Sequence, residues 1–91
     1  MWEDITSYSQ TEKERKPRVW QLKLPGNLQL IVVWNHRDYP NEWIYHLRPW
    51  YSNVSLVLYE YDMVEAVKAD ALNRVIRQLE QTLVFAKEVA N

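Results

Sequence analysis

Between Arg18 and Asn35 the chain alternates. Trp20, Leu22 and Leu24 interleave with Val19, Gln21 and Lys23, the period of two that a half-buried strand imposes. Pro25-Gly26-Asn27 breaks the pattern at the only glycine of the chain. Proline presets φ and glycine tolerates φ > 0, so the segment predicts a hairpin turn. Beyond it Leu28, Leu30, Val32 and Trp34 form one face of a second strand, with Gln29, Ile31, Val33 and Asn35 on the other. Arg37-Asp38-Tyr39-Pro40-Asn41 predicts the next turn, and a third strand follows over residues 42–47. Pro49, Trp50, Tyr51, Ser52 and Asn53 interrupt again, and residues 55–61 predict a fourth strand that is short and β-rich.

The last third changes to helical period. Asp62-Met63-Val64-Glu65 has the form of a capping box, with an acidic N-cap and a Glu at N3. Val64, Val67, Ala71, Leu72, Val75, Leu79, Leu83 and Ala86 then fall on one stripe. A helix over residues 63–89 would be close to 40 Å long at about 1.5 Å per residue. That exceeds the width of a small sheet, so its last turns overhang or meet another chain. Residues 1–16 read as a polar N-terminal arm that closes with Glu12-Lys13-Glu14-Arg15-Lys16 before Pro17. Within it Trp2, Ile5 and Tyr8 recur every third residue, which leaves open a short docked helical turn or a solvated arm. The expected organisation is this arm followed by one compact domain over residues 17–91. Its class is α+β, two-layer: a three- to four-stranded antiparallel meander packed on one long C-terminal amphipathic helix.

Composition narrows the functional classes. At 91 residues with 47% apolar content the chain has a core of its own but no room for separate cofactor and substrate lobes. Eleven Lys+Arg against twelve Asp+Glu give a net charge of -1, neither the basic field of a duplex-DNA binder nor the acidity of a phosphate mimic. The absence of cysteine removes disulfide and thiolate-metal chemistry and fits a reducing compartment. Met1-Trp2-Glu3-Asp4 lacks a secretory n-region, and no apolar run approaches the roughly 20 residues of a membrane span. The reading is a cytoplasmic protein with no membrane partner, and it leaves the Asn53-Val54-Ser55 sequon without meaning.

One helix covers one sheet face, yet the other face groups Ile31, Val33 and Ile44. The N-terminal arm, a second copy or a partner would have to cover it, and a homodimer ranks first. His36, Asp38, Glu42 and His46 raise a metal hypothesis. With a loop from Arg37 to Glu42, however, His36 opposes Trp43 on one face and His46 opposes Val33 on the other. These residues also lack a nucleophile, a phosphate cradle or oxyanion donors, so no catalytic, metal or cofactor residue is assigned and no cofactor is expected. Between Trp34 and Tyr51 lie three of the five tryptophans, with Arg37, Arg48 and both histidines. Such aromatics serve as core, as protein-interface anchors or as stacking platforms for single strands, and Asp38 and Glu42 cancel the arginine charge. The candidate interaction surface is Ile31, Val33, Arg37, Tyr39, Ile44, Arg48, Trp50 and Tyr51.

The order of parts carries a resemblance. A hairpin around Leu24-Pro25-Gly26-Asn27-Leu28 comes first, and Asp38-Tyr39-Pro40-Asn41-Glu42-Trp43 then leads a third strand. Asp62-Met63-Val64-Glu65-Ala66-Val67-Lys68-Ala69-Asp70-Ala71-Leu72 opens the helix. Over residues 19–84 this resembles the small proteins of phages, prophages and other mobile elements that share a Trp-strand, a tyrosine-proline turn before a second Trp-strand, and an acid-led helix. The polar arm and residues 49–53 depart from that pattern. The resemblance implies no catalytic residues. It implies a non-enzymatic protein-binding module that occupies a surface of a host machine, including inhibitors of host defence complexes such as anti-CRISPR proteins. A single-stranded nucleic acid binder using the same aromatics stands second, beside a structural homodimer. A metal-dependent nuclease at His36 and His46 stands third.

Overall fold

In the computed structural model, which describes residues 1–9, 16–49 and 52–90, five strands precede one helix. They are β1 (Trp2–Asp4), β2 (Val19–Leu24), β3 (Leu28–His36), β4 (Tyr39–Arg48), β5 (Val54–Leu56) and α1 (Val64–Ala90). The sheet runs β1-β2-β3-β4-β5 with every neighbouring pair antiparallel, a meander of five strands rather than three to four. The expected α+β class holds.

The β2–β3 hairpin forms as its sequence predicts. Leu24 pairs Leu28 across the turn, and Gly26 and Asn27 both adopt left-handed backbone, φ 77° and 61°. The next turn is tighter than expected. Only Arg37 and Asp38 turn, and β4 begins at Tyr39, so Pro40 and Asn41 lie inside a strand. Pro40 fits there because β5 pairs only Trp43, Ile44 and Tyr45, which leaves the outer edge of β4 open beside it. The extra length is absorbed by a register shift between Trp34 and His36. Asn35 and Asn41 take positive φ (58° and 59°), and the Asn41 N–H donates to Asn35 Oδ1 at 2.9 Å.

Two further expectations change. The fourth predicted strand stops at Leu56, because Tyr59 and Tyr61 are used to dock the connection instead of extending the ladder. Tyr59 donates to Asp70 Oδ2 at 2.8 Å, and Tyr61 to the Pro17 carbonyl at 2.8 Å. The arm's first residues form no helical turn: Trp2, Glu3 and Asp4 pair Leu22, Gln21 and Trp20 as the edge strand β1. Thr6 closes that edge, its Oγ1 accepting from the N–H groups of Arg18 (2.8 Å) and Val19 (3.0 Å) and donating to Asp4 Oδ1 (2.6 Å). The run Glu12-Lys13-Glu14-Arg15 lies outside the described residues.

The core sits between the sheet and the first half of α1. Leu30, Val32, Trp43, Tyr45, Leu47 and Leu56 pack against Val67, Ala71 and Val75. Ala71, fully buried, lets the helix approach the strands closely. The helix starts one residue later than a box on Asp62 requires. Met63 is the N-cap, its carbonyl accepting from Val67 N–H at 3.0 Å, while Glu65 turns to Lys68 Nζ at 3.3 Å. Lys68 is only 7% exposed and is held by aromatic faces as well as by that ion pair. Its Nζ lies 3.8 Å from the Trp20 ring centre and 5.8 Å from that of Trp2, a cation–π contact that ties β1 and β2 to α1.

Candidate protein-binding surface

The 27 residues of α1 span about 40 Å at about 1.5 Å per residue, and the whole molecule measures 58 × 26 × 22 Å. The buried helix residues are Val67, Lys68, Ala71 and Val75, all in its first half. Every residue over 80–90 is exposed. The expected overhang therefore exists, and it is apolar: Leu83 is 55% exposed, Val84 56%, Phe85 66% and Val89 68%. A surface depression of about 460 Å³ is lined by Arg77, Glu80, Gln81, Val84, Phe85 and Glu88, all but Arg77 within residues 80–90. At about 100° per residue the helix carries two apolar rows. Val64, Val67, Ala71 and Val75 face the sheet, whereas Leu72, Ile76, Leu79, Leu83, Ala86 and Ala90 form a second row about a quarter-turn away. The sequence pattern merges these rows into one stripe.

The residues singled out from the sequence do not form one surface. Ile31 and Ile44 are 1% and 0% exposed within the single chain, so the far sheet face is closed at its centre and no second copy is needed to cover it. Val33 and Tyr39 are half-buried, Tyr39 against the ring of His36 at 6.1 Å between centroids. Arg37 is exposed in the β3–β4 turn and Arg48 at the far end of β4, on opposite ends of the hairpin. Trp50 and Tyr51 lie outside the described residues. Phe85 and Val89 continue the sheet-facing line past the end of the sheet, so periodicity alone does not separate them from the core, whereas Leu83 lies on the second row and Val84 on the side away from both.

The histidine–carboxylate set is dispersed. His36 pairs Tyr39 rather than Trp43, and His46 pairs Ile31 rather than Val33, because the turn is two residues long. His36 Nδ1 accepts from Asp38 N–H at 3.1 Å, and Glu42 accepts from Ser55 Oγ at 2.7 Å. Among the described residues no group of three His, Cys, Asp or Glu side chains is placed to hold a metal ion. His46 has both ring nitrogens closed to solvent. Burial first, then the charge of Arg48 and His36, holds its pKa below the usual value, with Asn53 opposing the shift.

The tryptophans split between core and rim. Trp43 is fully buried, donates from Nε1 to the Glu60 carbonyl at 2.9 Å and stacks on Tyr61 at 6.1 Å between centroids. Half-buried Trp34 meets Tyr61 edge-on at 5.5 Å. Around it Lys16, Arg18, Trp34, Asn35 and Tyr61 line a depression of about 320 Å³.

The chain matches no protein-family model, no curated protein and no solved structure. Among the described residues no helix is long and apolar enough to cross a membrane.

Proposed function

We propose that this chain is a small non-enzymatic protein-binding module whose working element is the projecting half of α1. The supporting observation is the run of Leu83, Val84, Phe85 and Val89, each more than half exposed on a helix whose other half is anchored in the core. Large exposed apolar side chains gathered on one segment mark an interaction site, and a helix is a common form in which one protein engages another. The five-stranded sheet is the mount. The finer identity, a phage or mobile-element protein that occupies a host defence complex, is drawn from the sequence resemblance.

Affinity capture from native cells tests the module, comparing the unaltered chain, the double variant Leu83→Asp/Phe85→Asp and the control Leu58→Asp. Leu58 is 84% exposed in the connection after β5, far in sequence from the helix end. Partners held by the unaltered chain and the control should be lost with the double variant, at unchanged melting temperature. The same capture profile from all three would refute the reading. Ile31→Asp is no probe of binding, since Ile31 is buried and a carboxylate there unfolds the sheet.

A second reading draws on the depression around Trp34, where two cations flank two rings in the manner of single-strand binders. It predicts oligonucleotide affinity that falls steeply with salt and weakens in Trp34→Ala. A flat salt titration removes it.

A further inference from the structure

We propose that the projecting half of α1 pairs with the same segment of a second copy of this chain, antiparallel, with the two helices crossing between Val84 and Phe85. This rests on that reading and deepens it: Leu83 belongs to the pairing row, while Val84, Phe85 and Val89 lie on other sides of the helix at about 100° per residue. Three features support it.

The first is spacing. Leu72, Ile76, Leu79, Leu83, Ala86 and Ala90 follow one another at intervals of four, three, four, three and four, the repeat of a helix-pairing seam. The row is open: Ile76 is 42% and Leu83 55% exposed, Ala86 and Ala90 are exposed, and only Leu72 and Leu79 lean on the core.

The second is volume. The seam is large at one end and small at the other, so an antiparallel pair sets Leu79 on the partner's Ala90 and Leu83 on the partner's Ala86. Large and small side chains then interlock, with Ile76 at the rim. A parallel pair would face alanine with alanine at two successive layers and leave a gap.

The third is charge. Glu80 and Lys87 occupy the same flank of the seam, one heptad apart. Crossing between Val84 and Phe85 brings Glu80 beside the partner's Lys87 and Lys87 beside the partner's Glu80, two complementary pairs from one sequence. Sliding the pair to cross at Gln81 would oppose the two Glu80 side chains, and a parallel pair would set Lys87 beside the partner's Thr82. The crossing lies about 14 Å beyond Val75 at about 1.5 Å per residue, so the two sheets sit at opposite ends and do not collide. The contact is about three turns from each chain, which makes the dimer concentration-dependent.

Sedimentation equilibrium of the full chain, from low to high micromolar concentration, reads the result. The mass should rise from 11.0 kDa toward twice that value. Leu83→Glu should raise the dissociation constant by about tenfold or more without changing the melting temperature. Glu80→Lys and Lys87→Glu should each weaken pairing, and the combined swap Glu80→Lys/Lys87→Glu should restore it. A chain monomeric throughout overturns the self-pairing and leaves the binding surface to be judged by the capture experiment. A dimer indifferent to Leu83→Glu overturns the seam, and a swapped chain that pairs no better than the single variants overturns the antiparallel register.

Discussion

The ring of His46 lies on the sheet face turned away from α1, opposite Ile31 in the register and close to the charge of Arg48. Burial there favours the neutral imidazole, so the folded chain takes up the proton at lower pH than the unfolded chain, whose ordinary value is 6.5. The unfolded state therefore binds more protons in the interval between the two values. Stability from this residue is fully present above pH 6.5 and is lost as pH falls from there toward the folded value. Urea melts at successive pH values should show the midpoint falling on acidification through this window, and His46→Gln should flatten that part of the profile. An unchanged slope in the variant would assign the pH dependence elsewhere. Asp70 acts lower on the scale. Hydrogen bonds from Arg74 and Tyr59 hold its carboxyl below 3.8, so its contribution is retained until the pH falls below that value.

At the scale of the element, what could be read from the chain depended on how many residues repeated the signal. The alternation from Val19 to Trp34, broken once at Gly26, specified β2, β3 and their turn. The helix came within a residue at each end, because eight apolar positions hold its period. β1 has three residues, and the every-third spacing of Trp2, Ile5 and Tyr8 left open a helical turn or a solvated arm, neither of them a strand. In the structure those three residues do different things. Trp2 packs on the core, Ile5 is 36% exposed, and Tyr8 donates to Asp4. Pro40 and the two tyrosines after β5 misled for a shared reason: their tertiary roles, at an open strand edge and against Asp70 and Pro17, override local preference. The candidate surface was the least legible part. The residue types at Ile31 and Ile44 are those of an exposed patch or a closed one alike, and only the three-dimensional arrangement shows them buried.

For the whole molecule, one end is built for stability and the other for contact. The sheet and the first half of α1 share a core around Trp43, Leu30 and Val67, each fully buried. Residues 80–90 extend past it with nothing of the described chain packed over them. Local opening follows burial, so the two halves of one continuous helix should exchange amide hydrogens at different rates. Hydrogen exchange of the full chain at low and at high concentration is the most direct measurement. Residues 80–90 should exchange rapidly when dilute and gain protection when concentrated, while residues 64–79 stay protected in both. Protection over residues 80–90 that is already high at dilution, or a concentration effect confined to β3 and β4, would contradict the assignment of the projecting helix as the binding surface.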